Sequence, residues 1–394
     1  MSFAKSAVWQ MARNYECSQP PLYYMLAGFW WYVGQWFGFE GGHLLYWLRF
    51  LNILLVAALV WLGYATTRVI FPENLFLRIS VPVLMAFLPQ TAFYSIDNDV
   101  LSPLCLGVAF FFLVKWLRPE IPRVRSGAMM GLALAVAFLT KMSNLPLLAV
   151  ALVVVVLKIH RLAIQNNFRA VLPAASALFL CAGLPMGLWI AWCKIHFGDF
   201  TGSEVKIEHF GWVHKPFGEW FNHPIFTLHG LWTFVSGLFA TFWQGEFFWL
   251  GRPMTSPVMN IIYTVATLFL LGVAGQKLFS RRMKLNPFQH EALSLALISV
   301  TASVLFLAWL SMIFEFGQFS YPSSSHPYFT SGRLMLGALI PFLLLFVFGL
   351  DCALKRFGAA AKFFALTAII SAMLISEIAT DWPVFFSEYN WFHM

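Results

Sequence analysis

Two carboxylates one residue apart close a long apolar run at Phe87-Leu88-Pro89-Gln90-Thr91-Ala92-Phe93-Tyr94-Ser95-Ile96-Asp97-Asn98-Asp99, and a second apolar run follows at once. Charge at a membrane boundary is costly when unpaired, so it usually has a use. Close carboxylates offer hard oxygen ligands to a divalent cation. They can equally orient a hydroxyl or take its proton. The plain alternative is an Asn/Asp turn that caps the next helix. Asp99 and Asp97 are the candidate catalytic residues. A second signal, Ser325-His326-Pro327-Tyr328-Phe329-Thr330-Ser331-Gly332-Arg333, precedes a strongly apolar run. A guanidinium there can grip a phosphate bidentately, or simply snorkel and anchor the helix. Lys141 stands in the turn Lys141-Met142-Ser143-Asn144 between two apolar segments. It can neutralise a phosphate or cap a helix C-terminus. In Gln19-Pro20-Pro21-Leu22-Tyr23-Tyr24, Pro-Pro sets the entry of the chain into a helix. By physics alone that stretch is only a rigid helix start.

The remaining polar residues are less informative. His209, His214, His223 and His229 lack a tight ligand spacing and read as ordinary surface residues. Glu315 and Glu377 end apolar runs and are weak candidates. Five cysteines form no CxxC pair and read as small buried hydrophobes.

The elements that position these groups are membrane helices. Hydrophobic residues make up 60% of the 394 and charged residues only 11%, against roughly 25% charged in a soluble domain. Mean hydropathy is +0.74. A soluble fold could not hide this much apolar surface. A span takes about 20 apolar residues, and apolar runs fall near 44–71, 76–95, 98–117, 126–140, 144–159, 169–196, 257–279, 291–315, 332–352 and 360–380. The expected fold is all-α, a polytopic transmembrane helix bundle of about 10–11 membrane helices with external interfacial helices.

Lys115, Arg118, Arg123 and Arg125 share one loop. Lys158, Arg161 and Arg169 share a second, Lys277, Arg281, Arg282 and Lys284 a third, and Lys355, Arg356 and Lys362 a fourth. Alternate crossing puts all four on one side, and the positive-inside rule makes it cytoplasmic. The net charge of +8 therefore reflects topology, not nucleic acid binding. Asp97, Asp99, Lys141 and Arg333 all fall on the other, external side. The chain divides into an external or interfacial segment, 1–43, and an N-terminal transmembrane module, 44–196. An external loop with amphipathic helices, 197–256, leads to a C-terminal transmembrane module, 257–394. The stretch Pro20–Gly38 reads as a helix in the outer interface. Residues 1–18 carry Lys5 and Arg13 and no long apolar stretch, so no cleavable signal is expected.

The motifs around Gln19–Tyr24, Leu88–Asp99 and His326–Arg333 resemble the polytopic glycosyltransferases of the GT-C class. The likeness is to phospholipid-carrier-dependent enzymes near the protein mannosyltransferase and aminoarabinose transferase families. It covers most of the chain in layout and about 30 residues in motif. It implies transfer of a sugar from a polyprenyl-phosphate donor to a glycan, lipid or protein acceptor, at the extracytoplasmic face of a bacterial inner (plasma) membrane. Asp99 and Asp97 would then serve the acceptor or a divalent cation. Arg333, Lys141, His326, Gln19, Tyr23 and Tyr24 would bind substrate. In the family a first helix and an acid-bearing external loop lie upstream of Pro-Pro. Here only 19 residues precede Pro20, with Glu16 the acid among them, and Gln19 replaces the family's Lys or His. The resemblance thus implies a chain lacking the first helix and part of the first external loop. Two other classes stay open: a non-catalytic scaffold or partner subunit on the same fold, and a transporter or flippase. The latter should show mid-membrane charges and paired repeats, and neither is evident.

Overall fold

The computed structural model describes residues 18–280, 285–318 and 322–388. Lys5, Arg13, Glu16, Cys17, Arg281, Arg282 and Lys284 lie outside the described residues. The described chain is an all-α bundle, and the protein is an integral, multi-pass membrane protein. Each apolar run becomes a helix, the form that satisfies backbone groups where water is absent.

A short helix α1, Leu22–Trp36, turns through Gly38 and Gly41, both at positive φ, and doubles back on α2, Gly42–Ile70. Trp30 and Trp47 stack at 4.7 Å across this hairpin, each indole N–H donating to the other's carbonyl. Then follow α3 (Leu75–Ala86), α4 (Ser102–Trp116), α5 (Val124–Thr140), α6 (Leu145–Ile164) and α7 (Phe168–Phe197). After a small α8, Ser203–His209, come α9 (Leu228–Gln244), α10 (Pro257–Phe279), α11 (Pro287–Ile313), α12 (Leu339–Ala353) and α13 (Gly358–Phe385). Among the described residues, seven helical segments are long and apolar enough to cross a membrane, and α3, α4 and α5 are shorter apolar helices. Starts are marked by side-chain caps, such as Ser256 before α10 and the Asn286–Gln289 capping box of α11.

Helix α12 is the centre of the bundle. Phe342, Leu343, Leu344 and Val347 are fully buried on it. Helices α5 and α7 approach closely because Gly127 and Gly131, four apart, face the backbone of Ala174 and Leu178. Helix α9 buries Phe234, Leu238, Phe242 and Trp243, and Trp243 stacks on Tyr263 of α10 at 5.1 Å.

One run departs from its expected length. Residues 76–95 read as one span, yet α3 stops at Ala86 and α4 starts only at Ser102. Pro89 supplies no N–H, and a proline disfavours helix in the residue before it. At 12 residues α3 rises only about 18 Å. The irregular chain at 87–101 must therefore find partners within the bundle. Asn52 of α2, 2% exposed, donates to the carbonyls of Phe93 (3.1 Å) and Ser95 (2.7 Å). Gln90 donates to the carbonyls of Thr241 (3.0 Å) and Phe242 (2.6 Å) at the end of α9.

The basic loops gather at the opposite end. Lys158 donates to the carbonyl of Arg118 at 2.6 Å, and Arg161 meets Glu291 at 3.0 Å. Lys362 pairs with Asp351 at 2.6 Å, and Asn74 donates to the same carboxylate.

Gly332 tests the close packing at the other end. A Cβ there would strike the backbone of Phe242 and stand 2.6 Å from the Thr241 carbonyl carbon. Gly332→Ala should destabilise by about 1–3 kcal/mol, read as a lower melting midpoint in detergent. Gly272→Ala on α10 meets nothing within 4 Å and should leave the midpoint unchanged or raise it. Equal midpoints for the two variants would contradict this packing.

Candidate functional site

Four chain segments meet beneath the end of α9. The irregular stretch after α3 brings Asp97 and Asp99. The break after α5 brings Lys141, in extended backbone. The residues past α9 bring Glu246, and the 3-10 turn Gly332–Ala338 brings Arg333. Each break is fixed from behind. Asn144 donates to the carbonyl of Ala137 and accepts from Ser102 at the start of α4, both at 2.8 Å. Thr241 accepts from the Gly332 N–H at 2.8 Å and donates to the carbonyl of Thr330. Gly245, at φ +83°, packs its α-carbon face on Gln90 and Thr91, where no side chain would fit.

The charges form one network. Lys141 Nζ donates to Asp99 Oδ1. Both side chains are buried, Asp99 to 1% exposure. Arg333 Nη1 lies 3.6 Å from Asp99 Oδ2 and 3.7 Å from Asp97 Oδ2. Arg333 Nε lies 3.4 Å from Glu246 Oε2 and donates to Ser331 Oγ at 3.2 Å. Ser331 Oγ in turn donates to Glu246 Oε2 at 2.8 Å. Two cations against three carboxylates leave one excess negative charge. Glu246 Oε1 is buried and has no hydrogen-bond partner. Burial pushes the Glu246 carboxyl above the usual range, and Arg333, Ser331 and Lys141 only partly pull it back.

Five of the residues singled out from sequence come together here: Asp97, Asp99, Lys141, Arg333 and Tyr23. Tyr23 is buried on α1, and its hydroxyl is held well above its ordinary range by burial and by the Asp97 carboxylate. Tyr24 is exposed and meets Tyr23 edge-on at 5.6 Å. Gln19 is half-buried one residue before the Pro-Pro pair. His326 packs on Tyr328, which packs on His223, a separate aromatic group. Glu315 pairs in a two-residue ladder with Val213. Glu377 and Asp381 of α13 act on Tyr94 instead, and burial with these two carboxylates pushes that phenol up to about 12. Glu246 was missed from sequence. Its signal was present in Trp243-Gln244-Gly245-Glu246, an acid just past an apolar run. Among the described residues no three His, Cys, Asp or Glu side chains are grouped to hold a metal ion.

An apolar groove of about 880 Å³ opens between α2 and α3. Ile53, Val56 and Leu88 line it, with Tyr94 of the Asp97 loop as one wall. Arg49 stands exposed at its rim, its guanidinium 5.6 Å from the Tyr46 ring centre.

The buried pair carries a stability prediction. Lys141→Met leaves the buried Asp99 charge with only the longer Arg333 contact and should cost about 3–5 kcal/mol. The double variant Asp99→Asn with Lys141→Met should recover most of that loss, measured by thermal melting of purified protein. Additive losses would mean that the two residues do not act as a pair.

Comparison with known proteins gives a family. Residues 3–321 match a family model described as "Predicted membrane protein (DUF2142)". No curated protein sequence matches. Among solved structures, the chain is similar to the archaeal oligosaccharyltransferase AglB from Archaeoglobus fulgidus, in complex with an inhibitory peptide and a dolichol-phosphate. That similarity has a TM-score of 0.41 at 12% identity and covers 93% of this chain. It covers 47% of the AglB chain, so this protein spans about half that length. With its match running through most of the sequence, the chain belongs to the DUF2142 family of predicted membrane proteins.

Proposed function

We propose that this protein is a membrane glycosyltransferase that moves a sugar from a polyprenyl-phosphate-linked donor to an acceptor at the extracytoplasmic face. The observation that carries this reading is Arg333. It stands half-exposed among three carboxylates at one end of a membrane bundle, and the loop that carries Asp97 also lends Tyr94 to the lining of an apolar groove.

The chemistry demands those parts together. A polyprenyl-phosphate sugar has its reacting bond at the membrane surface and its chain in the bilayer. Its leaving group is an anionic phosphate, which needs a cation, and the incoming hydroxyl needs a carboxylate. Arg333 is the cation best placed to turn toward a phosphate. Its distances to the carboxylates, 3.4–3.7 Å, are longer than the 2.7–2.9 Å or so of a charge-assisted hydrogen bond. Lys141 is committed to Asp99, so it supports the field at the phosphate without leaving its partner. The groove between α2 and α3 takes the donor's hydrocarbon chain, with Arg49 at the headgroup level. The basic loops gathered at the far end support an extracytoplasmic site by the positive-inside rule. The motif resemblance to GT-C enzymes points the same way.

Transfer from radiolabelled polyprenyl-phosphate sugars to endogenous acceptors, in vesicles carrying the protein, tests the reading. Arg333→Ala should lower transfer by about 10²–10³-fold, and Arg333→Lys should restore a part of it. Full transfer by both Arg333→Ala and Asp99→Asn would sink the site assignment. Ala57→Trp, on the groove wall, should raise the donor KM with little change in kcat. A short-chain, water-soluble donor analogue should be indifferent to it. Equal sensitivity of both donors would place the chain elsewhere.

A further inference from the structure

We infer that Glu246, and not Asp99, is the group that takes the proton from the acceptor, so that the two aspartates shape the site and hold its cations. The inference rests on the transfer reading above and assigns the base within it.

The three carboxylates differ in what their oxygens already do. Asp99 has both oxygens engaged, Oδ1 by Lys141 and Oδ2 at 3.6 Å from Arg333. Asp97 is 35% exposed and faces Arg333 at 3.7 Å, so water solvates it. Glu246 is anchored through one oxygen only. Its Oε2 accepts from Ser331 at 2.8 Å and lies 3.4 Å from Arg333. Its Oε1 is buried and bare. A buried acceptor with no donor is expensive to maintain, and a substrate hydroxyl is a donor that would satisfy it. The same oxygen is then in position to receive that proton.

The step balances. The acceptor O–H bond breaks and its proton goes to Glu246 Oε1. The oxygen's lone pair forms the bond to the anomeric carbon. The bond from that carbon to the phosphate oxygen breaks, and its electron pair leaves with the phosphate, beside Arg333. Glu246 afterwards releases the proton to water. Five charged or polar groups face Glu246 or its cation: Ser331 and Arg333 from the turn before α12, Lys141 from the α5–α6 break, and Asp97 and Asp99 through Arg333. The base form needs pH above a carboxyl value already raised by burial. Transfer should therefore rise with pH along an acidic limb.

Glu246→Gln keeps the shape and the Oε2 contacts and removes the base. It should lower kcat by about 10²–10⁴-fold with the donor KM nearly unchanged, and abolish the acidic limb. Glu246→Asp should recover part of kcat. Ser331→Ala removes a hydrogen bond that favours the charged form, so it should move the acidic limb to higher pH. This arm stands even if Glu246→Gln folds poorly. Transfer by Glu246→Gln within threefold of the unmutated protein, with its acidic limb intact, would overturn the assignment while leaving the transfer reading in place. So would a donor KM raised tenfold at constant kcat, since Glu246 would then serve only to hold Arg333. No transfer by the unmutated protein from any polyprenyl-phosphate sugar would remove the parent reading, and this inference with it.

Discussion

One guanidinium holds the site together. Arg333 is the common neighbour of Asp97, Asp99 and Glu246, which arrive from two separate stretches of chain. A carboxylate taken out of water needs a counter-charge near it. Asp99 at 1% exposure is the extreme case, and it takes two cations. The position of each member is therefore set by the others. Moving the Asp97 loop would expose Arg333 to Glu246 alone, and moving α9 would strip the arginine of its Nε partner. Lys141 and Arg333 divide the work between them. The lysine is buried against Asp99, whereas the arginine is 47% exposed and spread over longer contacts.

This network exists because the helices are broken where they are. A continuous α3 would carry residues 87–99 through the bundle as regular helix and leave no room for a charged loop. Pro89 ends that possibility, and the exposed backbone is then satisfied by Asn52 and Gln90. Gln90 does two things at once. It caps the end of α9 and so fixes the take-off point of Gly245 and Glu246. Gly332 does the reciprocal task, since its lack of a Cβ lets the turn before α12 touch Phe242. Small and amide side chains thus position the charged ones, which are long enough to need that support.

Much of the fold was legible in the sequence because membrane helices announce themselves by length and hydropathy. All ten apolar runs return as helices, though the one at 76–95 stops at Ala86, and the described basic residues gather at one end. The helix ends were less legible. A run such as 76–95 is apolar throughout, and only Pro89 marks where it stops. The site was half legible. Asp97, Asp99, Lys141 and Arg333 each interrupt an apolar pattern, and so does Glu246, which sat unremarked in a loop rich in other charges. What no spacing could reveal is the pairing. Lys141 and Asp99 are 42 residues apart, and their contact depends on how α4 and α5 pack. Nor could it separate Tyr23, buried against the Asp97 loop, from Tyr24, which points away from the core.

The burial of the Glu246 oxygen also bears on what the site rejects. Any sugar phosphate ester at a membrane surface is exposed to water as a rival nucleophile. Asp97 is solvated, so a base there would activate water as readily as an acceptor. A base whose free oxygen is sealed until a substrate reaches it does not. The raised carboxyl value follows from that same seal, because burial penalises the charged form. A higher-pKa carboxylate is in turn the stronger proton acceptor. On the proposed transfer reading, exclusion of water and strength of the base are then one physical property of the site, and the partial exposure of Arg333 is where the anionic end of a donor would enter.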